Sequence, residues 1–201
     1  MAITTYSQLQ TAVSNWLHRS DLTSYIPDFI TLAETRIYRE VRARDMETAF
    51  SDTIASGAVA LPTSYIDLKH AYISRSPTNW LERKSNQWIY QNYPLRSSDG
   101  LPSFISREGS NFIFGPYPDS GYTVKGIYFK NLGAVSASAH ALFTTNPDLY
   151  LFGALCEAEP YLLRDARVAL WKAKYNEIRD QINDLSDEED LSGGSLRITP
   201  G

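Results

Sequence analysis

Near the start of the chain, apolar positions recur with the period of an α-helix. Tyr6, Leu9, Val13 and Trp16 step by 3, 4 and 3, which aligns them on one face of a helix of about three turns. Thr4 or Thr5 is placed to cap it. Arg19-Ser20-Asp21 breaks the pattern. A second helix is expected from Ser24, with Pro27 in its first turn, where a missing N–H costs little. Its stripe is Ile26, Ile30, Ala33, Ile37 and Val41. Arg36 with Glu40, and Glu40 with Arg44, have the i,i+4 spacing of ion pairs on its outer side.

From about Glu47 the period changes to two. Thr53-Ile54 and the stretch from Gly57 to Pro62 read as short strands around a turn. Asp67 to Ser74 and Trp80 to Arg83 read as further strands. Ser85 to Tyr93 reads as a short helix that Ser85 caps and Pro94 stops. Ser103 to Ser106, a Glu108-Gly109 turn and Phe112 to Phe114 form a predicted hairpin. Tyr122 to Lys130 alternates most clearly. Five or six such strands make a small sheet or half-barrel.

Leu132 to Leu142 is a loop of small residues. Helices then return. Asn146-Pro147-Asp148 supplies a cap, a first-turn proline and an acid near the positive end of the helix dipole. This helix is expected to run to about Leu163, kinked at Pro160. Asp165 caps a last helix, where Val168, Trp171, Tyr175, Ile178, Ile182 and Leu185 step 3, 4, 3, 4 and 3. That is a seam of period 3.5, suited to lengthwise packing on other helices. The expected fold class is therefore α+β. N-terminal helices (1–50) and C-terminal helices (145–190) form a bundle, with a β-rich insertion (51–144) and an extended arm (191–201). The arm, LSGGSLRITPG, cannot fold alone and is expected to gain order on a partner.

Composition narrows the function. The chain has 201 residues, 43% hydrophobic and 21% charged, with a net charge of −4. That is a globular composition, and its acidity argues against a dedicated nucleic-acid surface. No apolar run approaches the roughly 20 residues of a membrane span. MAITTYSQLQ lacks the regions of a signal peptide, so cytoplasmic synthesis is expected. The single cysteine, Cys156, excludes an internal disulfide framework and a cysteine-based zinc cluster.

Reactive groups are scattered. His18, His70 and His140 lie in different segments and read as structural. Cys156 sits in an apolar helix beside Glu157 and Glu159, whose charge raises a thiol pKa, so it reads as core. Glu157 and Glu159 point to different sides of a helix, which does not suit a paired-carboxylate site on one face. No phosphate-binding glycine motif occurs. Arg36, Arg39, Arg42 and Arg44 alternate with Glu34, Glu40, Asp45 and Glu47, the pattern of a solvated, ion-paired helix. The acidic run Asp187 to Asp190 reads as a solvated helix end. No catalytic residue, metal or cofactor is expected.

Two long stretches resemble a known family. HRSDLTSYIPDFITLAETRIYREVRARDME (His18 to Glu47) and TNPDLYLFGALCEAEPYLLRDARVALWKAKYNEI (Thr145 to Ile178) are similar to head-to-tail adaptor proteins of tailed, short-tailed bacteriophages. The second carries Asn146, Pro147, Asp148, Leu149, Tyr150, Gly153, Ala154, Leu155, Glu157, Pro160, Tyr161 and Leu162, then Leu170, Trp171 and Tyr175. GPYPD (Gly115 to Asp119) and SGGSLRI (Ser192 to Ile198) add to the likeness. The resemblance spans most of the chain in order.

It implies a structural virion protein at the head-tail junction, not an enzyme. Such adaptors form a ring, expected to be twelvefold, under the portal protein. They extend the DNA channel and seat the tail nozzle, and viral DNA passes without specific binding. The helices form the ring body, with the β-rich insertion on its outside or tail-facing side. The arm is expected to reach toward the portal or a neighbouring subunit through Ser192, Leu196, Arg197, Ile198 and Thr199, the last four adding a strand at a sheet edge. The rival readings are a head-completion or stopper protein of a long-tailed phage, a tail-associated cell-wall-degrading enzyme, and a DNA-binding module using the four arginines.

Overall fold

The computed structural model describes residues 2–97, 100–162 and 165–191. It contains six α-helices and seven strands: α1 (Tyr6–Leu17), α2 (Ile26–Glu40), β1 (Glu47–Thr53), β2 (Ala58–Ala60), β3 (Tyr65–Ile73), β4 (Asn79–Arg83), α3 (Asn86–Asn92), β5 (Phe104–Glu108), β6 (Asn111–Gly115), β7 (Thr123–Lys130), α4 (Ala141–Thr145), α5 (Pro147–Glu157) and α6 (Arg167–Leu191). The fold is α+β. One compact unit is built from the chain up to Met46 and from Leu132 onward, the other from Glu47 to Asn131.

In the helical unit the short elements start where local chemistry directs. The Thr5 hydroxyl accepts the Gln8 N–H, and the Gln8 side chain answers on the Thr5 N–H, so α1 opens with a capping box. Its buried face is Leu9, Val13 and Leu17. Trp16 is 45% exposed and lies edge-on to Phe152 at 5.5 Å. The core takes Leu17 instead because its spacing of four from Val13 keeps it on the buried line. In α2 the expected stripe is buried throughout, from Ile26 to Val41.

α5 is the centre of this unit. It packs against α1, α2, α4 and α6. Its run Leu149, Tyr150, Leu151, Gly153, Ala154, Leu155 and Cys156 is buried on all sides, as an apolar sequence without a polar face requires. It stops at Glu157, short of Leu163, and a 3₁₀ turn over Glu159–Tyr161 follows. Pro160 explains this: it has no N–H for the carbonyl of Cys156, and its ring clashes there. Asn146 makes no side-chain cap on α5. Its amide turns back to the Leu142 carbonyl at 3.5 Å, because a helix not expected from the sequence, α4, ends at Thr145 with Asn146 as its C-cap.

In the other unit the sheet order is β1-β7-β3-β4-β5-β6-β2, antiparallel except for β4 with β5. β1 starts at Glu47, six residues before the expected Thr53, because each residue from Glu47 to Thr53 has a partner on β7. β1 and β2 stand at opposite ends of the order, joined by a turn in which Ala55 and Ala58 exchange backbone hydrogen bonds. Phe50 of β1 stacks on Phe112 of β6 at 5.9 Å. The sheet therefore curls until its two ends meet over one core of Ile54, Val59, Leu68, Ile73, Phe112 and Phe114, among others. β7 alternates as its sequence predicts: Val124, Gly126 and Tyr128 face this core. Gly126 is needed there, since a Cβ would lie 2.3 Å from the His70 carbonyl oxygen.

Candidate functional site

The packing seam of α6 divides in two. Val168, Trp171 and Tyr175 are buried against the helical core. Gly153 of α5 permits this approach, since a Cβ there would sit 3.1 Å from Ala33 and 3.4 Å from the Tyr175 ring. Further along, Ile178 and Ile182 are half-buried, and Leu185 is 61% exposed. Length accounts for the change. α5 has 11 residues and α6 has 25, about 16 Å against about 38 Å at 1.5 Å per residue. The far half of α6 outruns the helix that covers its near half. Ile182 and Leu185 line a hollow of about 260 Å³ with Ala43, Thr145 and Asn146.

A polar lock holds this far half to the end of α2. Glu40 pairs with Arg36 at 3.1 Å and with Arg179 at 3.3 Å. Burial pushes the Glu40 carboxyl up, but the two guanidiniums more than reverse it, and it stays charged below the ordinary range. Arg36 also lies over the Tyr175 ring at 4.3 Å. Asn183 completes the lock: its Oδ1 accepts the Arg42 N–H at 2.9 Å and its Nδ2 donates to the Glu40 carbonyl at 3.1 Å. The spacing of Arg36 and Glu40 foretold one ion pair. It did not foretell Arg179 or Asn183, which come from a helix about 140 residues away. The only sequence signal for Asn183 is a poor helix former inside a helix. Because α2 ends at Glu40, Glu40 and Arg44 do not share a helical i,i+4 spacing.

A second polar cluster ties down the loop of small residues. Glu34 is 6% exposed and accepts the Val135 N–H at 2.7 Å. Burial raises its carboxyl above the usual range, and this hydrogen bond opposes the rise. The Tyr38 hydroxyl donates to the Gly133 carbonyl at 2.6 Å. Burial, and then the Glu34 charge, push this phenol up to about 12. His140 Nδ1 accepts the Phe143 N–H, capping α4, and Nε2 lies 3.3 Å from the Tyr38 hydroxyl. An accepting Nδ1 leaves the proton of the neutral ring on Nε2, and burial lowers the His140 pKa to match.

A family profile described as SU10 adaptor protein matches residues 4–199. The chain belongs to this family. It is thus a structural component of a bacteriophage, a virion adaptor that interacts with other head and tail proteins. No curated protein matches the chain.

The remaining candidate groups of this adaptor are engaged structurally. Cys156 is buried, which pushes its thiol up to about 11. Glu157 lies 3.8 Å from Arg36, and Glu159 pairs with Lys172. Arg42 donates to the Tyr38 and Val41 carbonyls. His18 ends α1 in a left-handed conformation, and His70 contacts Trp80 edge-on. Among the described residues no group of three or more His, Cys, Asp or Glu gathers to hold a metal, and no helix is long and apolar enough to cross a membrane. The arm residues Ser192, Leu196, Arg197, Ile198 and Thr199 lie outside the described residues.

Proposed function

We propose that this chain is one subunit of a closed ring, expected to be twelvefold, that seats under the portal, extends the DNA channel and carries the tail nozzle. Ring closure requires one heterologous interface repeated around the axis. The observation that carries this reading is the far end of the α6 seam, where burial gives way to exposure. Leu185 is 61% exposed on the same seam that buries Trp171 and Tyr175. An apolar row of this kind is suited to a neighbouring subunit. Trp16 and Leu170, 45% and 59% exposed, offer further apolar surface on the helical unit. The arm, through Ser192, Leu196, Arg197, Ile198 and Thr199, is the segment assigned to the portal or the neighbour. DNA passes through without sequence-specific contact.

The test is the mass of the purified protein by light scattering, alone and mixed with the portal of the same virus. A small species that becomes ring-sized on portal is expected. Leu185→Glu should leave the subunit folded and stop ring growth, and deletion of 192–201 should leave it folded and unable to dock. A wild-type protein that ignores the portal, or a Leu185→Glu protein that assembles normally, refutes the reading.

A further inference from the structure

In the sheet unit, β4 and β5 run parallel over only two residue pairs, Glu82 with Phe104 and Arg83 with Ile105. Beyond that point the chain leaves β4 through Lys84 and Ser85 into α3. A cleft of about 590 Å³ opens where they part, walled by Arg83, Lys84, Ser85, Asn86, Trp88 and Arg107. Three of its walls are cations, two of them, Arg83 and Lys84, held by Asp67 and Glu82, although the whole chain carries a net charge of −4.

Its hydrogen-bonding capacity is one-sided. Arg107 donates Nε to the Gly109 carbonyl at 3.2 Å and lies 5.5 Å over the Tyr65 ring. Among the described residues no carboxylate pairs with it, so its two terminal nitrogens remain as donors. The Ser85 oxygen accepts the Trp88 N–H and the Asn86 carbonyl oxygen accepts the Gln87 N–H. Those bonds use acceptors and leave the Ser85 hydroxyl proton and the Asn86 amide protons to donate. Lys84 pairs with Glu82 and also sits 5.4 Å over the Trp88 ring. Arg83 pairs with Asp67 at 2.7 Å. The cleft is rich in donors, poor in acceptors and flanked by an indole.

From this placement we infer that the cleft binds the phosphodiester backbone of a nucleic acid, without sequence preference. Closely spaced cations match a ligand whose charges repeat at short intervals, and an aromatic wall beside them suits a base or sugar, which an acidic peptide lacks. The overall charge hides the site, because its cations come from positions 83, 84 and 107 and meet only in the folded sheet. The inference does not depend on ring formation. It adds a weak, salt-sensitive hold on DNA to a protein that reads no sequence.

The test is fluorescence anisotropy of the full chain, without portal, against a labelled 20-residue single strand and its duplex at 50 and 200 mM salt. Arg107 is the cation of the cleft that no described carboxylate pairs, so the log–log salt slope for the single strand should approach about −0.7, an affinity loss of about 3-fold over this range. Arg107→Gln should weaken binding and remove most of this slope, and Lys84→Gln, whose ammonium is already paired with Glu82, should weaken binding less. Arg39→Gln, which removes an exposed cation from the helical unit, should change neither. Tighter binding of the single strand than of the duplex assigns an open strand, and the reverse assigns duplex backbone. The inference is overturned by absence of binding at 50 mM salt, by an Arg39→Gln effect equal to that of Arg107→Gln, or by poly-glutamate competing as well as DNA at equal charge. Matching thermal melts of the variants exclude unfolding as the cause. Light scattering of the ring reads a separate property, so either proposal can fail while the other stands.

Discussion

Asn183→Ala tests the lock between α6 and α2. The wild-type side chain makes two hydrogen bonds, 2.9 Å to the Arg42 N–H and 3.1 Å to the Glu40 carbonyl, both half-buried. Each neutral hydrogen bond contributes about 1 kcal/mol net. Alanine removes both, and water reaches the two backbone groups only in part. The expected loss is therefore about 1–2 kcal/mol, or about 5- to 30-fold in the unfolding constant of the helical unit. Asn183→Asp should cost at least as much, since a carboxylate accepts from Arg42 but cannot donate to the Glu40 carbonyl. Urea unfolding followed by circular dichroism reads the change as a lower midpoint at constant slope. Hydrogen exchange should show the Arg42 amide losing protection before the rest of α2. Asp184→Ala, one exposed position further on, serves as the control and should stay within about 0.5 kcal/mol. If Asn183→Ala is as mild as that control, the lock does not hold α6 and the reasoning fails.

Three further outcomes are expected. Gly126→Ala places a Cβ 2.3 Å from the His70 carbonyl oxygen and 2.8 Å from the Phe50 ring. It should cost more than about 3 kcal/mol or abolish soluble expression, and a normal melting curve would contradict the packing described. For Glu34, burial raises the folded pKa above the ordinary 4.5, so the folded state holds the proton more tightly than the unfolded one. Its ionised form then costs stability, and that cost appears as pH rises from 4.5 through the raised value. Glu34→Gln should accordingly raise the urea midpoint at pH 8, with a gain that shrinks toward pH 4.5, and equal gains at both pH values would count against this assignment. Cys156, with its thiol pushed up to about 11 by burial, should resist an aromatic disulfide reagent at pH 8 until the protein unfolds, whereas rapid stoichiometric labelling of the native protein would show it accessible.

Much of the architecture was legible because it is decided locally. The stripe of α2, the Ser85 cap of α3 and the alternation of β7 depend on residues one to four apart, and the period of the apolar positions reports them directly. Family membership was legible too, in the two long helical stretches and the order in which they occur. The seam of α6 was readable as a pattern, but not which half of it this chain would cover. That follows from the length of α5, which Pro160 cuts short by removing a hydrogen bond. Glu34 looked like one acid in an ion-paired helix, and only the fold buries it beneath the Val135 amide. Asn183, Arg179 and Glu40 meet across about 140 residues, and Arg107 and Lys84 line one cleft where two strands separate. Contacts of that range leave no periodic mark, because the chain between them is free to vary in length and composition. Tertiary packing alone chose them, by bringing donors to orphaned acceptors and apolar faces to one another.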